Sequence, residues 1–394
     1  MTDRLEQFLA GQFNFSVVLG ILILLAIVTA VAYAIWLERK ISAWIQDRYG
    51  PNRVGPFGLL QPVADGLKFL LKEDIIPDNV DRGLFIFAPW MIFVVALIGF
   101  AIIPWGGEFR WSWMSESAKP ITAQVASIDI GVLYLVAVAS LGVYGVVLGG
   151  WASNNKFSFY GGMRAAAQML SYEVPMGMAI FTAVLTTGFL RLEDQVAWQA
   201  AHGWTVLYHP VAAVIMFTTA LAESNRMPFD LAESEQELVG GYHTEYSALK
   251  LALFFLAEYA HMITSSALMI SMFFGGYLVP GWSWLNTAPT AGAMVMRLLV
   301  FGFKIFLFIC FYMVIRWTIP RFRFDQLMRL AWKSLVPMTM VIAGWQGLIL
   351  YAGWPQWTSP PANLLVLFVA GYLGLASGKP VTGRQKSMPA VEWT

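Results

Sequence analysis

The feature that most constrains this chain is an unbroken apolar run near its start, FSVVLGILILLAIVTAVAYAIWL, from Phe15 to Leu37. It holds about 23 residues, where about 20 suffice to cross the hydrocarbon core of a bilayer as a helix. No water there pairs with an open backbone, so a helix is the form such a run takes. A cleaved secretory leader has a basic start, a shorter core and a small-residue cleavage site. Here the start mixes Asp3, Arg4 and Glu6, and the run ends in Trp36 and Glu38-Arg39-Lys40. It reads as a retained span.

Further apolar runs fall at about 84–104, 128–149, 166–190, 208–222, 247–276, 293–316, 335–353 and 362–377. The run at 208–222 is short, about 15 residues, and so is the last. The expectation is an all-α, polytopic transmembrane helical bundle of about nine spans, eight being possible, forming one integral membrane domain over 1–394. Composition agrees, with 58% hydrophobic and 12% charged residues, where soluble domains carry about 25% charge. A net charge of +1 gives no global field for nucleic acid.

Odd-numbered connections and the tail form one side, and the remaining segments the other. The first side carries 18 Lys and Arg residues, from Arg39 to Lys386, against four on the other: Arg4, Arg110, Lys119 and Arg191. The positive-inside rule then places the N-terminus outside and the large loops and tail inside. Three inner segments stand out: a first loop at 38–83, an acidic loop at 223–246 and a tail at 377–394. The tail shows no chemistry and is expected to be mobile or docked on a neighbour.

The first loop is punctuated by Gly50-Pro51, Gly55-Pro56 and Gln61-Pro62, which set turns. A helix is expected from Pro62, with Asp65, Lys68 and Lys72 on one face and Val63, Leu67, Leu70 and Leu71 on the other. Such a helix lies along a membrane surface, its charges either solvated or turned to a partner or cavity.

The acidic loop holds six of the chain's 24 acids: Glu223, Asp230, Glu233, Glu235, Glu237 and Glu245. Arg226 is the one strong cation among them. Crowded, poorly hydrated carboxylates cannot all ionise, and they titrate as a coupled set able to pass protons. The plainer alternative is a solvated acidic loop. Glu173 and Glu258 tilt the balance, because they fall within predicted spans. Ionisable groups at membrane depth are costly and default to a functional hypothesis. His261 follows Glu258 at i+3, a weaker candidate, and Asp129 marks the edge of the third span. Lys304 and Arg297 are expected to snorkel or to pair with a buried acid. Cys310 is the single cysteine, and no Cys/His spacing or glycine-rich phosphate loop marks a cofactor site.

Three long segments carry a resemblance. They are ERKISAWIQDRYGPNRVGPFGLLQPVADGLKFLLKEDIIP at 38–77, GWASNNKFSFYGGMRAAAQMLSYEVP at 150–175, and AESNRMPFDLAESEQELVGGYHTEYS at 222–247 followed by LFFLAEYAHM. Together they resemble the membrane subunit that borders the quinone site of respiratory complex I, the H subunit or mitochondrial chain 1. The match spans most of 36–262 and thins to hydropathy beyond about 270. The resemblance implies a subunit of a proton-translocating NADH:quinone oxidoreductase, not catalytic alone. Its substrate is a quinone, ubiquinone or menaquinone, while FMN and iron–sulfur clusters belong to partner subunits. It implies a proton path through Glu173, Glu223, Glu233, Glu235, Glu237 and Glu258, with Arg226 among them. Glu38, Arg39, Asp65 and Lys68 would line the quinone chamber or its connection. The implied partners are the peripheral quinone-site and iron–sulfur subunits, the small and antiporter-like membrane subunits, and lipid.

Two departures are visible. Met227 stands where relatives often carry Thr, and Ser140 occupies the middle of the third span, where some carry a carboxylate. The alternatives are a stand-alone proton-coupled transporter and the related subunit of a membrane-bound hydrogenase. Internal repeats, frequent in transporters, are not visible. A bacterial inner membrane fits better than a mitochondrial one, because the chain is long with an extra apolar run.

Overall fold

The structure is a computed structural model that describes residues 11–111, 120–231 and 240–377, with backbone alone from 373. Glu233, Glu235, Glu237 and the tail beyond 377 lie outside the described residues. Every predicted apolar run is helical. The α-helices of six or more residues are α1 (Gln12–Ile45), α2 (Gln61–Leu71), α3 (Arg82–Ile98), α4 (Gly131–Ser140), α5 (Gly142–Ala152), α6 (Lys156–Thr187), α7 (Leu192–His202), α8 (Pro210–Glu223), α9 (Ala248–Phe273), α10 (Ala291–Thr318), α11 (Phe324–Arg329), α12 (Val336–Ala352) and α13 (Ser359–Ser377). A short antiparallel pair, Glu108–Phe109 with Ile121–Thr122, caps one end of the bundle.

Seven helical stretches among the described residues are long and apolar enough to cross a membrane: α1, α3, α4–α5, α6, α9, α10 and α11–α12. The protein is a multi-pass membrane protein. Helix α8 has 14 residues and α13 has 19. An expected count of nine rests on those two joining the seven.

Helix α1 runs to Ile45, well past the apolar run that ends at Leu37. Glu38, Arg39 and Lys40 are good helix formers and give no stop signal. The break comes where Asp47 turns to a positive φ of 51°. The added turns carry Glu38 inside the helix, 8% exposed, instead of leaving it in a loop. Helix α6 begins at Asn155, whose Oδ1 accepts the Phe157 N–H at 2.9 Å, an ordinary N-cap.

Two helices organise the bundle. Helix α6 packs against α5, α8 and α12, and α9 packs against α3, α10 and α1. Lipid tails are as apolar as leucine, so helices here associate through close fit. A Cβ on Gly161 would come within 2.7 Å of the Gly241 backbone, and one on Gly145 would overlap the Ile92 side chain. Helix α9 is the most enclosed of the seven stretches.

Lys304 and Arg297 correct an expectation. Neither pairs with an acid among the described residues. The Lys304 ammonium donates to the carbonyls of Phe274, Gly276 and Leu278, each at 2.8 Å. Arg297 donates to Leu285, Asn286, Ala288, Gly106 and Glu108 carbonyls. Both tie down irregular chain, where free carbonyls are abundant and need donors. Helix α2 forms as expected and has no buried residue. Lys72 is its extended C-cap and so leaves the charged face.

Candidate functional site

A cavity of about 490 Å³ lies between α1, α2 and α9. Glu38, Arg39, Asp65, Phe69, Tyr259 and Arg316 are among its lining residues. Most of the rest are apolar, a composition that suits a small organic ligand with a few polar anchors. At one wall Arg39 Nη1 meets Asp65 Oδ2 at 2.9 Å, and Gln61 Nε2 donates to Asp65 Oδ1 at 3.0 Å. The arginine bond ties α2 to α1. Lys68 is on the same helix but does not line the cavity; its ammonium lies 5.2 Å from the Phe69 ring centroid.

Behind the cavity stands an alternating file of charges. Arg316 Nη1 donates to Glu38 Oε1, Arg226 Nη1 donates to Glu38 Oε2 at 2.8 Å, and Arg226 Nε meets Glu258. Tyr259 Oη donates to Glu38 Oε2 at 2.7 Å, and the Arg226 guanidinium lies 4.0 Å from the Tyr259 ring centroid. Two cations and two carboxylates balance in a place with little water. That is the condition under which buried charges persist.

The turn after α8 explains how Arg226 gets there. Helix α8 ends at Glu223, and Asn225 adopts φ 49°, a left-handed conformation that asparagine tolerates. The Asn225 N–H then donates to Ala222 O and the Arg226 N–H to Leu221 O. This is a Schellman closure of the helix. Gln168 of α6 braces it, donating to Ala222 O at 2.8 Å and to Asn225 Oδ1 at 3.1 Å. The chain reverses sharply, and the next side chain points back into the bundle.

A third group lies deeper. Glu223 Oε1 and His261 Nε2 are 3.4 Å apart. Both line a cavity of about 50 Å³ together with Glu258, Ser224 and Asn225. Glu173 of α6 is within electrostatic range of Glu223.

A family model described as NADH dehydrogenase matches residues 18–346. An H subunit, numbered 1, of the NADH-quinone oxidoreductase of Cytophaga hutchinsonii is 49% identical over 309 residues, 78% of this chain and 89% of its own. The H subunit from Flavobacterium psychrophilum is 47% identical over 315 residues, with 78% and 89% covered. The H subunit from Rickettsia canadensis is 48% identical over 317 residues, with 80% and 87% covered. This chain belongs to the family of NADH-quinone oxidoreductase H subunits.

Within this member of the H-subunit family, the residues singled out in the sequence separate into groups. Glu38, Arg39 and Asp65 share the large cavity. Arg226 and Glu258 join Glu38 behind it. Glu223 and Glu173 lie in the deeper group. Two members of the acidic loop point elsewhere: Asp230 is 3.5 Å from Arg321, and Glu245 accepts from Asn155 Nδ2 at 2.6 Å. Tyr259 and Arg316 were not among the site residues predicted. Arg316 counted only as an inner-side charge. Its role depends on Glu38, 278 residues away in sequence.

Proposed function

We propose that this chain is the membrane subunit of a proton-pumping NADH:quinone oxidoreductase of a bacterial inner membrane. It encloses part of the quinone chamber and passes the consequence of quinone reduction to buried carboxylates. The observation that carries the reading is the shared residue Glu38. It lines the 490 Å³ cavity and also binds Arg226, which holds Glu258. A change of charge in the cavity therefore acts directly on the next ion pair.

The reduction needs two electrons and two protons per quinone, giving the quinol. Electrons come from an iron–sulfur partner; FMN and the clusters are assigned to the peripheral subunits. No group of three or more His, Cys, Asp or Glu residues that could hold a metal occurs among the described residues. Reduction places negative charge beside Arg316 and Glu38. Protonation of Glu38 would cancel its hold on Arg226 and leave that guanidinium to Glu258. Glu223 and Glu173 continue the path, with Glu233, Glu235 and Glu237 assigned on family resemblance; Lys68 is assigned on the same ground to the connection of the chamber. The partners are the peripheral quinone-site and iron–sulfur subunits and the small and antiporter-like membrane subunits. The names of the relatives favour this reading over a lone transporter or a hydrogenase subunit.

The test is to tag the chain, solubilise native membranes gently and assay what co-purifies. An iron–sulfur assembly with NADH-driven quinone reduction is expected. In vesicles, Glu258→Gln should keep the assembly but lose proton translocation. A lone cofactor-free chain, or normal pumping by the variant, overturns the reading.

A further inference from the structure

The charge balance of the buried acids is uneven. Arg226 and Arg316 are matched by Glu38 and Glu258. Glu223 and Glu173 lie beyond that file, close enough to repel one another. The cationic candidate on their side is His261, whose Nε2 is 3.4 Å from Glu223 Oε1. That separation exceeds an ordinary N–H···O bond by a few tenths of an ångström, so a small movement completes it.

His261 also occupies the right place along the helix. It follows Glu258 at i+3 on α9, so both side chains fall on one face. The cavity of about 50 Å³ is lined by Glu258, His261 and Glu223 together. By volume it holds about three waters, and these polar groups supply partners for them. Glu223 and His261 also line a second, smaller void on the side of Met176 and Met216.

Glu223 from α8, Glu258 from α9 and Tyr242 from the short turn before α9 line the cavity beside it, while Glu173 of α6 and Tyr312 of α10 act electrostatically on Glu223. Helix α3 contributes apolar side chains to the cavity. Imidazole is the one side chain among them that ordinarily changes charge near neutral pH and both accepts and donates a proton.

We propose that His261 is the proton-carrying group that links Glu258 to Glu223, taking a proton at one ring nitrogen and releasing one toward the next carboxylate. The assignment deepens the subunit reading above and rests on it. The step balances: once the proton taken by Glu38 has passed to Glu258, it leaves through cavity water, the imidazole becomes imidazolium, and Glu223 takes a proton from it, which returns the ring to neutral.

The test uses the whole complex with His261→Asn and His261→Gln. Amide side chains keep polarity and hydrogen bonding but carry no exchangeable charge. The rate of proton translocation should fall about 100-fold or more, the lower end of what a positioned acid–base group contributes. The alkaline limb of the rate–pH profile should disappear with the imidazole, an effect that loosened packing does not produce. Normal translocation and an unchanged profile in either variant would falsify the proposal. So would failure of both variants to assemble, which would mark the ring as a packing element. Glu223→Gln serves as the control. If it impairs pumping while the histidine variants do not, the subunit reading stands and the histidine assignment falls. If all three pump normally, the carboxylate path itself is wrong.

Discussion

At the scale of single residues, Arg226 is the most exposed to failure. It is 5% exposed and touches two carboxylates and an aromatic face. Arg226→Met would leave Glu38 and Glu258 without that cation. Breaking a buried pair from one side costs about 3–5 kcal/mol, so a loss of assembled complex on native gels is expected. Arg226→Lys keeps the charge, but a single ammonium lacks the planar fork. It should assemble better than the Met variant yet remain poorly coupled. Tyr259→Phe removes one bond to an ionised acceptor and should cost about 1.5–3 kcal/mol, read as a lower unfolding midpoint. The residue types were legible in the sequence: Glu258, Glu223 and Arg226 sit in unusual places for charge. The pairings were not. Glu38 and Arg226 are separated by 188 positions, and no local signal specifies which distant acid a buried arginine will reach.

At the scale of elements, close fit decides which substitutions survive. Gly161→Ala sets a Cβ against the Gly241 backbone at 2.7 Å. Backbone cannot yield as a side-chain tip can, so reduced assembly is expected on native gels. The turn at Gly241–His243 that abuts α6 supplies a second prediction. His243 is buried there, and burial pushes its imidazole down to about 4 from an ordinary 6.5. The unfolded chain therefore takes up a proton as pH falls from about 6.5 to about 4, while the folded chain does not. Stability contributed by the neutral ring is present above that window and lost through it, by up to about 3 kcal/mol. Thermal unfolding of wild type against His243→Gln should show the wild type losing more over that range. Equal losses would refute the assignment. Helix positions were readable from hydropathy, and α2 from its Gln61-Pro62 start. The extension of α1 to Ile45 was not, because a charged triplet looks like a span end although it propagates a helix well.

For the whole molecule, the bundle follows from one physical demand, that backbone in hydrocarbon satisfies itself. That demand made the class of fold plain from apolar runs alone. Orientation rests on the charge bias and is open to direct measurement. In a Cys310→Ser background, Trp284→Cys should react with an impermeant thiol reagent applied outside intact cells, whereas Leu71→Cys should not. Trp284 and Leu71 are 71% and 85% exposed and lie in connections assigned to opposite sides. The reverse labelling would invert the bundle. The position of α13 was less legible. The family match stops at 346, yet the helix is held by buried polar contacts: Ser359 Oγ donates to Gln346 Oε1 at 2.9 Å, and Asn363 faces His209 at 3.3 Å. Those partners lie inside the matched region, or at its last residue.

Between α11 and α12 the chain makes a π-helical stretch, Leu330–Leu335, beside α6, where Trp332 Nε1 donates to Ser171 Oγ at 3.2 Å. A wide turn carries surplus chain relative to an α-helix. Each residue in a helix is worth about 100° of rotation, so this stretch sets the angular phase of everything after it. If one residue were deleted there, Ile342, Gln346 and Ile349 would swing away from their buried side. Gln346 would lose Ser359, and the final helix would come adrift although no residue of its own had changed.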